Sequence, residues 1–153
     1  QAMSLRMPET GTTAAALYLI FAKLVNGHLT CLDISSRWLD ACRKTLKKYE
    51  NITYVLSDAS GLGRDCFNVV YCHFVLHDIE KEELIMVIPQ MVNSLKPNGV
   101  LCFREPLSEI EKIGLIKSKL KQIGMIHKGS RVINIPLMGS TLESYYINKN
   151  WEV

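Results

Sequence analysis

The sequence predicts an α/β fold in which a mostly parallel sheet is covered by helices on both faces. Short apolar runs, typical of buried parallel strands, alternate along the chain with amphipathic helical patterns. The last two predicted strands lie on either side of Met138-Gly139-Ser140, so they should form a hairpin and the final strand should run antiparallel. With 153 residues, of which 48% are hydrophobic and 22% charged, the chain has the size and composition of one globular domain.

The first half of the chain contains an apolar segment, two strands and an amphipathic helix. Residues 12–24 are apolar nearly all round, which is typical of a helix between a sheet and other structure. A strand over residues 28–33 ends on Asp33, and a serine then begins a helix that continues to Tyr49. The lysine- and arginine-rich face of that helix is interpreted as solvated surface. A second strand covers residues 52–56.

The second half repeats the alternation of strands and helices. Pro89 lies inside the first of its helices and should kink it. Met86 and Met91 of the same helix are interpreted as core residues. The predicted elements are strands over residues 67–72, 99–103, 126–136 and 142–149, and helices over residues 81–95 and 108–123.

Charge and cysteine usage limit the classes of function. A formal net charge of +3 is too small to indicate a nucleic acid or a membrane as partner. Five cysteines without a CxxC pair predict neither a zinc site nor a disulfide framework, so we interpret them as reduced thiols of a cytoplasmic protein. The apolar run at 14–22 is shorter than the roughly 20 residues of a membrane span. Lys23 interrupts this run before any signal-peptide cleavage site.

Polar residues follow the predicted strands where each strand ends. In open parallel sheets, ligands bind beyond these carboxyl ends, near the point where strand order reverses. The candidates at this edge are Asp33, Asp58, His73, Arg104 and Glu105.

Three of the features in this order indicate a ligand that contains adenosine. The turn Thr10-Gly11-Thr12 opens the first predicted helix, where a glycine lets backbone amides approach a ligand. Asp33 stands about 20 residues later, where a carboxylate can accept hydrogen bonds from ribose hydroxyls. Asp58 ends the next strand and can accept a hydrogen bond from an adenine amino group. Each acid has a structural alternative, since Asp33 can cap the next helix and Asp58 can close a turn.

The combined motifs resemble the class I S-adenosylmethionine-dependent methyltransferases, especially small enzymes of the quinone-biosynthesis C-methyltransferase type. The resemblance covers residues 10–149 and rests on the combination of segments. The matching segments are Thr10-Gly11-Thr12-Thr13, HLTCLDIS at 28–35, ITYVLSDAS at 52–60, FNVVYCHFVLHDI at 67–79, SLKPNGVLCFREP at 94–106 and the closing hairpin.

The resemblance implies a three-layer, Rossmann-like methyltransferase sheet with S-adenosylmethionine as cofactor. It places Gly11 at the methionine end, Asp33 at the ribose and Asp58 with Ala59 around the adenine. His73 would border both the methionine end and the substrate. The cofactor-binding residues that it implies are Thr10, Gly11, Thr12, Asp33, Ile34, Asp58, Ala59 and His73.

Methyl transfer requires alignment in a dry site and no metal. His73 or His77 can act as general base near neutral pH, and Glu105 can reach the substrate from its strand end. The structural alternatives are that His77 orders the turn after its strand and that Glu105 caps a turn or pairs with Arg104. We favour that structural interpretation for Glu105.

The segment before Gly11 departs from the family pattern. The family's first strand and its acid-x-Gly-x-Gly-x-Gly turn should lie here, but Glu9 occupies the place of the middle glycine and no strand of normal length fits. The first strand is therefore predicted to be missing or incomplete. Omitted residues after Met7, a truncated chain and a partly lost cofactor pocket each explain the departure, and the intact later motifs favour the first. We divide the chain into residues 1–9, a cloning remnant with an incomplete segment, and a single methyltransferase-like domain over residues 10–153.

The sequence thus predicts a methyltransferase that uses S-adenosylmethionine on a small-molecule acceptor. The first alternative is an inactive methyltransferase-fold scaffold or partner subunit, which the degraded glycine turn would explain. The second is a nicotinamide-dependent oxidoreductase, which would need a fuller glycine turn and a catalytic Tyr-Lys or similar pair. The sequence does not indicate an oligomeric state.

Overall fold

The computed structural model describes residues 2–5, 27–136 and 139–149. The predicted helix over residues 12–24 and the turn Thr10-Gly11-Thr12 lie outside the described residues. The described strands are β1 (Ala2–Leu5), β2 (Leu29–Asp33), β3 (Ile52–Leu56), β4 (Phe67–His73), β5 (Leu95–Pro106), β6 (Met125–Ile135) and β7 (Gly139–Asn148). The described helices are α1 (Ser36–Leu46), α2 (Lys81–Ser94) and α3 (Ile110–Gln122).

The seven strands form one sheet in the order β3-β2-β1-β4-β5-β7-β6. All pairings from β3 across to β5 are parallel, and β7 runs antiparallel to both β5 and β6. The predicted parallel sheet with an antiparallel hairpin strand is therefore confirmed. Strand order reverses between β1 and β4, so the carboxyl ends of β2, β1 and β4 meet at the position where such sheets bind ligands.

The first strand, which was predicted to be missing or incomplete, is present as a strand of four residues. Residues Ala2–Leu5 form β1 at the centre of the sheet, where Leu5 is paired with Leu32 on one side and Cys72 on the other. Ala2, which we assigned to a cloning remnant, begins this strand. Four residues suffice because neighbouring strands on both sides supply hydrogen-bonding partners to the backbone of β1.

The sheet buries a different apolar core on each face. Successive strand residues point to opposite faces, so Tyr71 and Cys102 contribute to the core against α1, whereas Cys72 contributes to the core against α2 and α3. Cys72 and Cys102 are both buried, on opposite faces of the sheet. Fully buried residues such as Phe103 and Leu101 each contribute about 1.5–3 kcal/mol.

The helices bury the faces that their apolar spacing predicts, with one exception. Met91 of α2 is fully buried, but Met86 is 65% exposed, so its assignment to the core was wrong. Five helical positions separate the two methionines, which places them about 140° apart around the helix axis. The basic face of α1 is exposed, as predicted. None of the described helices is both long and apolar enough to cross a lipid bilayer.

Candidate functional site

A cleft of ≈ 170 Å³ lies at the carboxyl ends of β2, β3 and β4. It brings together four of the predicted cofactor-binding residues, Asp33, Ile34, Asp58 and Ala59. His73 is not among the lining residues. The cleft is lined by Leu32, Asp33, Ile34, Ser57, Asp58, Ala59, Val75, Leu76, Asp78, Ile79, Glu83 and Val87.

Asp33 is held at the tip of β2 by the turn into α1. Its side chain is buried, and Oδ1 accepts a hydrogen bond from the backbone N–H of Ser35 at 2.8 Å. The structural alternative for Asp33, a carboxylate that caps the start of the next helix, therefore matches a contact in the structure. A carboxylate has about four acceptor positions, so ordering this turn is compatible with accepting hydrogen bonds from a ligand in the cleft.

Asp58 stands at the tip of β3 and caps the short 3₁₀ turn Ala59–Gly61. Its Oδ1 accepts from the backbone N–H of Ser60 at 2.8 Å and also from the Ser60 hydroxyl. These hydrogen bonds lower the pKa of Asp58, so the side chain is an anion near neutral pH. The carboxylate is exposed beside the buried methyl group of Ala59, and the pair presents a charge next to an apolar wall.

The side chains around the cleft combine apolar walls with negative charge. Four of the described lining residues are acids, and none of the described lining residues is Lys, Arg or His. Ile34 is 74% exposed, which leaves a large apolar side chain uncovered next to Asp33. Such a cleft suits a ligand with a flat apolar part and hydrogen-bond donors or positive charge, and it disfavours a polyphosphate.

One wall of the cleft is a turn that Glu105 organises. Glu105 is fully buried, and its Oε1 accepts from the backbone N–H groups of Val75 at 3.1 Å and Leu76 at 2.8 Å. Its Oε2 lies 2.5 Å from Nδ1 of His77. These contacts fix the segment that follows β4, so Glu105 shapes the cleft through the turn.

Of the two structural alternatives for Glu105, the pairing with Arg104 was wrong. The guanidinium of Arg104 instead donates to Glu143 on β7. The two consecutive residues of β5 point to opposite faces of the sheet, which prevents them from pairing with each other. The other part of that interpretation, a carboxylate that caps a turn, matches the contacts of Glu105.

His77 is bound into the same turn. A carboxylate only accepts, so Nδ1 of His77 carries the proton in its contact with Glu105, and Nε2 lies 3.4 Å from Asp78. Lys112 of α3 donates to the backbone carbonyls of His77 and Ile79. This arrangement matches the structural alternative for His77, a residue that orders the strand-to-helix turn.

We expect His77 to make the stability of the protein depend on pH. The hydrogen bond to Glu105 raises the pKa of His77 above its usual 6.5. The stabilising contribution is therefore complete below the unfolded-state pKa and is lost as pH rises through the raised value. Urea unfolding at about pH 6 and about pH 9 should show that the advantage of the wild type over His77→Gln shrinks at the higher pH. An advantage that stays constant between the two conditions would contradict this assignment.

His73 lies at the end of β4 in an aromatic and cationic environment. Its ring centroid is 5.7 Å from that of Tyr71 and 4.4 Å from that of Phe74. Burial, followed by the positive charge of Arg104, lowers the pKa of His73 to about 4, so the ring is uncharged near neutral pH. Phe74 adopts a positive φ of 54°, a strained conformation for a bulky residue, directly before the cleft wall begins at Val75.

His73 belongs to a polar cluster of which the sequence analysis identified only His73 and Arg104. Glu143 is 2% exposed and accepts hydrogen bonds from Arg104, Arg131 and, at 3.3 Å, the Tyr71 hydroxyl. The register aligns His73 with Arg104, Arg104 with Glu143, and Glu143 with Arg131 across β4, β5, β7 and β6. We call the five residues His73, Tyr71, Arg104, Arg131 and Glu143 the Glu143 cluster.

Comparison with known proteins identifies one family by sequence and one fold by structure. Residues 9–99 match the sequence profile of the family described as "Methyltransferase domain". No functionally curated protein matches the chain by sequence. At 15–18% identity the three structures named below establish the fold only.

Three solved structures superpose over nearly the whole chain. The N-methyltransferase NodS from Bradyrhizobium japonicum, in complex with S-adenosylhomocysteine, has a TM-score of 0.76 and 15% identity, over 96% of this chain and 76% of its own. Magnesium protoporphyrin IX methyltransferase from Synechocystis, with bound S-adenosylhomocysteine, has a TM-score of 0.70 and 18% identity, over 95% and 72%. A methyltransferase from Aquifex aeolicus has a TM-score of 0.69 and 16% identity, over 95% and 80%.

Proposed function

We infer that this chain, which belongs to the methyltransferase domain family of class I, S-adenosylmethionine-dependent enzymes, transfers a methyl group to a small-molecule acceptor. The observation that carries the proposal is the cleft, in which Asp33 and Asp58 stand at the tips of adjacent strands between apolar walls. The known partners of such an arrangement are sugar hydroxyls and a flat base.

The residues of the cleft fit S-adenosylmethionine. We assign Asp33 to the ribose hydroxyls and Asp58 to the amino group of the adenine, and the side chains of Ile34 and Ala59 to its faces. When bound, S-adenosylmethionine supplies a methyl group on a positively charged sulfur. The negative charge of the lining residues favours this cation, because opposite charges attract strongly where water is partly excluded.

The same charges argue against the nicotinamide alternative. A dinucleotide brings a pyrophosphate, which would contact the glycine turn outside the described residues and lie close to a cleft with four acids and no Lys, Arg or His among its described lining residues. The scaffold alternative depended on the degraded glycine turn, which lies outside the described residues. We would conclude that the protein is an inactive scaffold only if the folded protein fails to bind S-adenosylmethionine.

The remaining residues act by positioning the cleft wall and the acceptor. Glu105 and His77 hold the turn that forms one wall of the cleft, so we assign them to positioning. With a pKa of about 4, His73 is a weak base, so we assign it to hydrogen bonding with the acceptor. The role of general base stays a prediction for His73 and His77.

We expect Asp33→Asn to weaken binding of S-adenosylhomocysteine by roughly 10- to 100-fold, because hydrogen bonds to a charged group contribute about 1.5–3 kcal/mol. Asparagine keeps the side-chain oxygen that accepts from Ser35, so the turn into α1 is retained. Calorimetric titration of the wild type and the variant measures this difference.

The matched control for this titration is Asp40→Asn. Asp40 is an exposed acid of α1 whose contact is an ion pair with Arg43 at 2.7 Å, so its loss should leave the affinity unchanged. Unchanged affinity in Asp33→Asn would refute the role of Asp33. No binding of S-adenosylmethionine or S-adenosylhomocysteine by the folded wild type would favour the scaffold.

A further inference from the structure

The Glu143 cluster carries more positive than negative charge. Arg104 and Arg131 contribute two positive charges, whereas Glu143 contributes one negative charge. His73 and Tyr71 are uncharged near neutral pH. Water screens the charge of Arg131, which has 61% of its side chain exposed, more than that of Arg104, which has 18% exposed, so a further negative charge would be stabilised mainly beside Arg104.

The cluster also contains polar atoms without a partner. Nη2 of Arg104 donates to Oε2 of Glu143, and Nε and Nη2 of Arg131 donate to Oε1. Nε of Arg104 and Nδ1 of His73 have no hydrogen-bond partner within the described part of the chain, although both atoms are buried. Buried polar atoms are nearly always hydrogen-bonded, and His73 as a whole is 7% exposed. The two atoms therefore indicate a bound group with oxygen atoms.

The position of the cluster relates it to the cleft. His73 lies two residues before Val75, where the wall of the cleft begins, and it is paired with Arg104 across β4 and β5. Arg131 lies at the other end of the row, and 61% of its side chain is exposed. Solvent therefore reaches the cluster at Arg131. The cluster and the cleft pack against opposite faces of the sheet, since Tyr71 belongs to the core against α1, whereas Val75 and Leu76 of the cleft belong to the core against α2 and α3.

We propose that the Glu143 cluster binds a carboxylate group of the methyl acceptor, through Arg104 and Arg131. This inference rests on the proposed methyltransferase function and names the class of its substrate. A guanidinium presents its N–H groups in a planar fork that matches the two oxygens of a carboxylate. The buried Glu143 holds both guanidinium groups in place through separate oxygens, which reduces the entropic cost of ordering them for a ligand.

The experiment uses the whole protein saturated with S-adenosylhomocysteine, and benzoate as the probe. The signals of arginine Nε–H groups are followed by NMR during titration with benzoate, its neutral analogue benzamide, and phenyl phosphate. Arg104→Lys assigns the Arg104 signal. We expect benzoate to shift this signal and benzamide to leave it unchanged. Arg131→Gln should weaken benzoate binding by about tenfold, which corresponds to the loss of one charged contact.

The control variant is Arg43→Gln. Arg43 matches Arg131 in both of its contacts. Each arginine pairs with an acid, Arg43 with Asp40 and Arg131 with Glu143. Each also has its Cζ near an aromatic ring centroid, at 5.1 Å from Tyr54 for Arg43 and at 5.9 Å from Tyr145 for Arg131. Replacement of Arg43 should not change benzoate binding.

Several results would overturn the proposal. The first is that benzoate and benzamide bind equally well, and the second is that Arg131→Gln leaves the benzoate affinity unchanged. The third is that, before benzoate is added, the Nε–H signal of Arg104 already has the chemical shift of a hydrogen-bonded group. Binding of phenyl phosphate without benzoate would assign the site to phosphate instead. Failure of S-adenosylhomocysteine itself to bind would refute the methyltransferase function, which separates that failure from failure of the carboxylate site.

Discussion

Replacing Glu105 with alanine should lower the free energy of unfolding by about 3–5 kcal/mol, as expected when one partner of a buried charged network is removed. The backbone N–H groups of Val75 and Leu76 would lose their acceptor, and the Nδ1 proton of His77 would lose its carboxylate. Glu105→Gln keeps one acceptor oxygen, so it should lower the free energy of unfolding by less, about 1–2 kcal/mol. Urea unfolding of both variants measures these values.

The control for Glu105 is Glu111→Ala. Glu111 has 85% of its side chain exposed and makes one 3.6 Å ion pair with Lys81. Its removal should change the free energy of unfolding by less than about 0.5 kcal/mol. If Glu105→Ala were as mild as this control, the carboxylate would not be what holds the turn. Glu105→Ala should also bind S-adenosylhomocysteine more weakly than the wild type, because the turn that Glu105 holds supplies one wall of the cleft.

Glu143→Gln is the second substitution with a large expected effect. It leaves Arg104 and Arg131 without their shared carboxylate on a largely buried part of the sheet. Removing the charge of one partner in such a network costs about 3 kcal/mol, because the remaining charges are no longer compensated. Urea unfolding at low salt measures the loss.

A double variant separates charge from packing at this position. Replacement of Arg104 by Met together with Glu143 by Leu removes both the carboxylate and the guanidinium that is 18% exposed. We expect this double variant to be more stable than Glu143→Gln alone, since apolar residues of similar volume often replace a buried ion pair without loss. A double variant less stable than Glu143→Gln would show that packing, not charge, dominates.

Most of the fold was predictable because local patterns determine its elements. The strand over 52–56 was predicted at its observed bounds, because a run of apolar residues there is bounded by polar ones. β1 was missed because its four residues contain no β-branched side chain and are too few to show a period. Its place in the sheet follows from pairing with β2 and β4, which no local pattern encodes.

The candidate site was predictable where it consists of strand ends and was missed where it depends on register. Asp33 and Asp58 were identified because each is the acid that follows an apolar strand. Arg131 and Glu143 were missed because their contact depends on the alignment of β6 with β7. One signal was present, since Glu143 is a lone charge in an otherwise uncharged strand segment and a buried charge requires a partner.

The order of strands in the sheet also has a kinetic consequence. In the β6–β7 hairpin, Ile135 is paired with Gly139, four residues away, whereas at the centre of the sheet Ala2 is paired with Val69, 67 residues away. Closing a long loop costs more entropy, so contacts between distant residues form late in folding. The cleft lies at the carboxyl ends of β2 and β4, the two strands that flank β1. The chain should therefore acquire its ability to bind ligand only in the last steps of folding, well after the hairpin has formed.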